Sequence, residues 1–360
     1  MPEPPLRNIT SPCAFDDGVE VTFVYGPFLP VCERDVISFN DALSDELDSD
    51  FSSSIGCCDF CYEDFRSKWP DVSFRRDGGE MQSMGTLDAV DASRLLGAWS
   101  EVEYSTLRRL VQCPRCLQYD PVNIHLFEHR LRDAEAIEQH ITDLSALGST
   151  TPFLLLEHPF AQRVLAEVRA EAGRVTVSAQ SRPMFRARLV SDVIERGQNP
   201  ADLSTYGPAP AAYTGEGRFN HAGCPMLYLA NREDVAAAEL GAVGQDCLVG
   251  LIELLASMKI LDLIDEDGDA VDSDLFDALA NSALLTAPRT GEGWIKRQYV
   301  FSRFVADCAR SAGFDAIRYG STKEPRGVNY VILDPPADLS AFMRLESHAA
   351  STCPNPAHRY

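Results

Sequence analysis

No run of eighteen or more apolar residues occurs in the chain, so no segment reads as a membrane-spanning helix. The N-terminal MPEPPLRNITSPCAFDDGVE lacks the basic start and apolar core of a secretory signal, and a cytoplasmic location is expected. Basic residues are scarce: 32 Lys and Arg stand against 54 Asp and Glu, a formal net charge of −22. That balance argues against broad binding to nucleic acid or to an anionic membrane, both of which need basic surface. It leaves a small anionic ligand open, because a few arginines can make a positive pocket in an acidic protein. The acidic run Asp265–Asp274 lacks the glycine that an EF-hand loop needs at its sixth position, and Phe276 stands where the bidentate glutamate would be. It reads as a solvated turn. The eleven cysteines are an odd number spread over 360 residues, a poor disulfide framework that fits a reducing compartment.

The most informative stretch is Tyr213–Leu240, YTGEGRFNHAGCPMLYLANREDVAAAEL. Gly215 and Gly217 bracket a turn, Met226–Ala230 reads as a short buried strand, and Val235–Leu240 starts an alanine-rich helix. Arg218 therefore sits on a loop, Tyr228 on a strand and Glu239 on a helix, three elements that can converge on one cleft. An arginine on a glycine-rich loop suits a phosphate. A carboxylate beside an aromatic ring suits a cationic transition state. The plainer reading is a solvated arginine, a core tyrosine and an exposed helix charge. Upstream, MFRARLV alternates as a strand and puts Arg186 and Arg188 on one face.

GEGRFNHAGCPMLYLA followed by AAAEL resembles the RES domain, a family named for its Arg, Glu and Ser. MFRAR at 184–188 is similar to the family's opening strand, GFDAIRYGS at 313–321 to its serine-bearing segment and NYVIL at 329–333 to its last strand. The resemblance runs from Ser181 to Leu345, about half the chain. It implies an α+β fold with an ADP-ribosyltransferase-like split sheet, and a toxin that degrades NAD, in some members by phosphorolysis. On that basis Glu239 would stabilise the ribosyl cation, and Arg218 would grip the pyrophosphate or an incoming inorganic phosphate. Arg186 or Arg188 would add a second positive group, Tyr228 would line the nicotinamide ribose, and Asn220 and Ser321 would help hold the substrate. From chain chemistry alone Ser321 reads equally as a capping hydroxyl in its turn. His221, in a loop beside Asn220, reads as structural. Where many family members carry a glutamine early in the late helix, this chain has Ser302. The implied activities are NAD phosphorylase or NAD glycohydrolase, with protein ADP-ribosyltransferase as the alternative. The implied partner is an Xre-type antitoxin or another inhibitor protein, and a homo-oligomer is left open.

Residues 1–50 read as a partly disordered segment, with Ser44–Ser54 as an acidic linker. Residues 51–150 read as a mainly helical domain carrying two CxxC pairs, and Cys58, Cys61, Cys113 and Cys116 can supply four thiolates to a structural zinc. Two independent pairs of idle thiols are the other reading. His125 and His129, at i and i+4, are substitutes if one cysteine is unused. The region resembles the HEPN-type domains that precede some RES domains, but Arg132 and His140 are too far apart for the Arg–His pair of HEPN ribonucleases. A connecting helix is expected over 151–175, the catalytic domain over 176–345 and a disordered tail over 346–360.

Overall fold

Val36, Phe39, Leu43 and Leu47 recur every three or four positions and form the buried stripe of an 18-residue helix, Glu33–Asp50. The expected disordered segment and acidic linker are thus replaced, over these residues, by an amphipathic helix on which Glu33, Asp41 and Asp45 are exposed. The structure, a computed structural model, describes residues 8–9, 23–25, 30–50, 54–70, 82–93, 99–128, 134–180, 182–264, 274–287, 296–324 and 327–355. His129, Arg132 and most of the acidic run 265–274 lie outside them.

The chain divides into two units, residues 1–67 with 78–131 and residues 68–77 with 132–360. The first is less purely helical than expected. It holds two three-stranded antiparallel sheets, one of β1 (Asn8–Ile9), β2 (Phe23–Tyr25) and β3 (Pro30–Cys32), the other of β4 (Ser54–Cys58), β5 (Gln82–Gly85) and β6 (Asn123–Glu128). Among the described residues, its helices after the first are Asp59–Lys68, Thr86–Ala92 and Glu101–Leu107. The last is opened by a capping box, with Ser100 and Glu103 exchanging side-chain and backbone bonds. Because His125 lies on strand β6, it does not share a helix face with the position four residues on.

In the second unit the helices Ala134–Thr150 and Pro159–Arg174 precede the sheet. Residues 134–150 belong with this unit and not with the cysteine pairs, which moves the expected boundary at 150 back to about 131. The strands are β7 (Ser178–Ala179), β8 (Met184–Leu189), β9 (Leu227–Ala230), β10 (Asp246–Leu254), β11 (Ser257–Met258), β12 (Ile260–Asp262), β13 (Ala316–Gly320), β14 (Val328–Ile332) and β15 (Met343–Thr352). Seven of them form one mixed sheet in the order β12-β13-β14-β9-β8-β10-β15, parallel only between β12 and β13. The fold is α+β, as expected. Central β14 is buried at all five positions, which is why it reads as a continuous run.

Over residues 346–352 the expected disordered tail is instead part of strand β15, which pairs with β10 along its whole length; residues 356–360 lie outside the described residues. Most of its side chains face solvent, so MRLESHAAST shows no apolar alternation. Cys353, just past its end, is buried in one cluster with Cys247 and the Glu233–Glu239 helix. At the sheet's other face, Gly250 of β10 lets the Tyr206 ring lie flat on the strand: a Cβ there would stand 2.8 Å from two ring carbons. That approach delivers the Gly207 carbonyl to β8. Gly250→Ala is expected to lower stability by about 1–3 kcal/mol through overpacking. Urea unfolding would check this, and an unchanged midpoint would show that the ring moves aside freely.

Candidate functional site

Strand alternation puts Arg186 and Arg188 on one face of β8, and both guanidinium groups reach the Gly207 carbonyl. Arg186 also donates to the Tyr228 carbonyl, and Arg188 Nε to the Thr205 carbonyl at 3.0 Å. Arg186 is buried and its Nε has no partner. Burial, then the neighbouring Arg188 charge, holds its pKa well below the usual arginine value; burial lowers that of Arg188 to about 10. Both shifts record charge withdrawn from water.

The glycine-bracketed loop is fixed from several sides. Tyr228 donates its hydroxyl to Asn220 Oδ1 at 2.9 Å and accepts the Phe219 N–H at 3.2 Å. Burial pushes the Tyr228 phenol up to about 12, so it stays a neutral O–H donor at physiological pH. Asn220 in turn donates to the Gly215 carbonyl at 2.8 Å. Gly217 is required here, since a Cβ would collide with Asn220 Oδ1. Glu216 accepts from the Lys296 N–H at 2.8 Å and pairs with buried Arg303 at 3.2 Å. The Arg218 guanidinium lies 4.8 Å from the Tyr299 ring centroid and donates to the Leu285 carbonyl and, at 3.2 Å, to Thr322 Oγ1. Ser302, the residue at the family's glutamine position, donates to the Arg218 carbonyl at 2.6 Å.

Glu239 closes the Glu233–Glu239 helix, just before Gly241 turns the chain away at φ +68°. Its Oε1 accepts from Ser321 Oγ at 2.7 Å and from Asn329 Nδ2 at 2.6 Å. Ser321 meanwhile accepts the Lys323 and Glu324 N–H groups, both at 3.1 Å. The serine thus both caps its own turn and donates its one proton to the carboxylate, and its two readings coexist.

These elements enclose a cleft of about 580 Å³ lined by Arg186, Arg188, Arg218, Tyr228 and Glu239. Ser321 and Asn220 sit buried behind it, one against Glu239 and the other against Tyr228. Lys296, Tyr299, Tyr319, Thr322, Lys323 and Asn329 also line the cleft and were not singled out by the sequence reading. Asn329 left a signal, being a lone amide in the otherwise apolar β14. Five cationic side chains (Arg186, Arg188, Arg218, Lys296 and Lys323) face one carboxylate, Glu239. Among the described residues no acid pairs with any of the three arginines, so the cleft suits an anion beside a sugar-sized polar group. His221 is turned outward to Asp307, 2.8 Å away.

In the first unit the Sγ atoms of Cys58, Cys61, Cys113 and Cys116 lie within 4.8 Å of one another, with Cys58 and Cys116 3.8 Å apart. Thiolates on a tetrahedral zinc stand roughly 3.8 Å apart, given Zn–S bonds of about 2.3 Å. The Cys58 N–H at 3.2 Å and the Arg115 N–H at 3.4 Å point at Cys113 Sγ, which favours a thiolate there. His125 is no substitute ligand: its Nε2 bonds Asp59 at 2.9 Å and its Nδ1 bonds Ser83 at 2.8 Å.

Residues 193–345 match the model of the RES domain. No curated protein matches the chain. Among solved structures, a chain of the M. tuberculosis MbcT–MbcA toxin–antitoxin complex is similar at 13% identity, over 52% of this chain and 92% of that one, with a TM-score of 0.32. The family resemblance carried by Tyr213–Leu240 is borne out. Arg218, Tyr228, Glu239 and Ser321 fall within the matched span, with Arg186 and Arg188 just before it. The RES-domain match covers residues 193–345, the part of the chain that holds Arg218, Tyr228, Glu239 and Ser321.

Proposed function

We propose that the cleft cleaves the nicotinamide–ribose bond of NAD, with phosphate or water as acceptor, and that the protein acts as a toxin of the RES type. The observation that carries this reading is the Glu239 carboxylate, oriented by Ser321 and Asn329, across a cleft otherwise lined by cations. Nicotinamide departs neutral from a cationic ring, so no general acid is needed. The barrier lies in the positive charge that grows on the ribose, and a fixed carboxylate lowers it. Glu239 keeps Oε2 for the ribose while Oε1 is occupied. Arg218 would hold the diphosphate, and Arg186 with Arg188 a second anion, such as inorganic phosphate brought up as acceptor. Tyr228 has its hydroxyl committed to the loop and would offer the ribose its ring. An Xre-type antitoxin or another inhibitor protein is the proposed partner, as is usual for the family.

The deciding experiment is incubation of the purified protein with NAD, with and without inorganic phosphate, followed by product identification. ADP-ribose 1″-phosphate formed only with phosphate would make it a phosphorylase, and ADP-ribose under both conditions a glycohydrolase. Label from NAD found on protein would favour the transferase instead. Glu239→Gln is expected to cut turnover at least about a hundredfold with the fold kept, because the charge and not the shape is lost. Full turnover in that variant would remove Glu239 from the chemistry.

For the cysteine cluster we propose a structural zinc held by Cys58, Cys61, Cys113 and Cys116. One zinc per chain is expected by elemental analysis, lost in Cys113→Ser together with a fall in the melting temperature. A metal-free wild-type protein with the same melting temperature would reject it.

A further inference from the structure

The peptide unit between Arg218 and Phe219 is held at both ends by side-chain hydroxyls from different elements. Ser302 Oγ donates to its carbonyl at 2.6 Å, and Tyr228 Oη accepts its N–H at 3.2 Å. Neither hydroxyl is there by chance of exposure. Ser302 is fully buried in the first turn of the Val300–Ser311 helix. Its nearest other acceptor, the Tyr299 carbonyl, is more distant at 3.1 Å, and a hydroxyl has one proton to give. Tyr228 has spent its own proton on Asn220, so only its lone pairs remain for Phe219. A peptide plane pinned by an acceptor at its N–H and a donor at its C=O cannot rotate without breaking both bonds. The Cα of Arg218 lies at one end of that plane, and its orientation aims the guanidinium at Thr322 and the Tyr299 ring.

We infer that Ser302 and Tyr228 form a two-sided clasp on the Arg218–Phe219 peptide, which makes Ser302 a positioning residue that sets the anion-binding pose of Arg218. This rests on the NAD reading of the cleft for its kinetic consequence only. The clasp itself has a readout that needs no ligand: exchange of the Phe219 amide hydrogen, followed by NMR. In Ser302→Ala that amide is expected to exchange about tenfold faster, although Ser302 touches the other end of the peptide, since a net hydrogen bond is lost from the closed state. Ser302→Thr keeps the hydroxyl and is expected to restore the wild-type rate.

The same variants are then assayed with NAD. Arg218 grips a part of the substrate remote from the breaking bond, so Ser302→Ala is expected to raise KM about tenfold with kcat within about twofold, and Ser302→Thr to recover KM. Tyr228→Phe is expected to raise KM similarly, and the double variant little further, because either loss already frees the peptide. Unchanged Phe219 exchange in Ser302→Ala overturns the clasp, as does a double variant whose KM effect is the product of the two single ones. A faster Phe219 amide in Ser302→Ala, alongside a wild-type protein that consumes no NAD, would leave the clasp standing and reject the NAD reading instead.

Discussion

A guanidinium group drawn out of water must find acceptors, and in this protein the arginines of the cleft find peptide carbonyls rather than carboxylates. Arg186 and Arg188 share the Gly207 carbonyl, and Arg218 takes that of Leu285. Carbonyl dipoles satisfy the N–H groups without cancelling the charge. The positive charge is therefore left to be matched by whatever enters. Much of the surrounding structure serves this arrangement. Gly250 admits Tyr206 so that Gly207 can reach β8, and the 296–303 segment brackets the glycine loop that carries Arg218.

The lone carboxylate obeys the complementary rule. Glu239 Oε1 receives two donors from residues that are themselves buried, and the Ser321 proton is directed to it because two backbone N–H groups already occupy the serine's lone pairs. The serine's single hydrogen has one place to go. A network so directed holds its members in a single geometry.

How much of this could be read beforehand depended on where the signal sat. Arg218, Tyr228 and Glu239 stand close together in sequence on loop, strand and helix, so a local pattern was enough to gather them. Arg186 and Arg188 were placed on one face by the period of a strand. The helix Glu33–Asp50 was missed because its outer acids and serines outweighed the four apolar residues of its inner face. Strand β15 was missed because it lies at the sheet's edge with little to bury, and its evidence is the backbone of β10. Ser302 and Asn329 act on partners 84 and 90 residues away, and no local pattern reports such pairs. The four cysteines were legible as two pairs, while their meeting depends on strands β4 and β6 and the turn at Cys113–Cys116.

The contrast between a strongly acidic chain and a basic cleft bears on how a ligand arrives. At physiological salt, charges are screened over about 8 Å, so a distant anion meets the averaged repulsion of the surface before it meets any arginine. Ionic strength then acts in opposite senses on approach and on retention. Added salt softens the outer barrier and quickens encounter, while the recessed guanidinium groups, poorly reached by mobile ions, lose less of their hold. A compact anion can cross that barrier once and then meet the guanidinium groups. A long polyphosphate chain would meet it along its whole length, with only the few contacts at the cleft mouth to offset it. The charge distribution therefore selects by the size of the anion as well as by its sign.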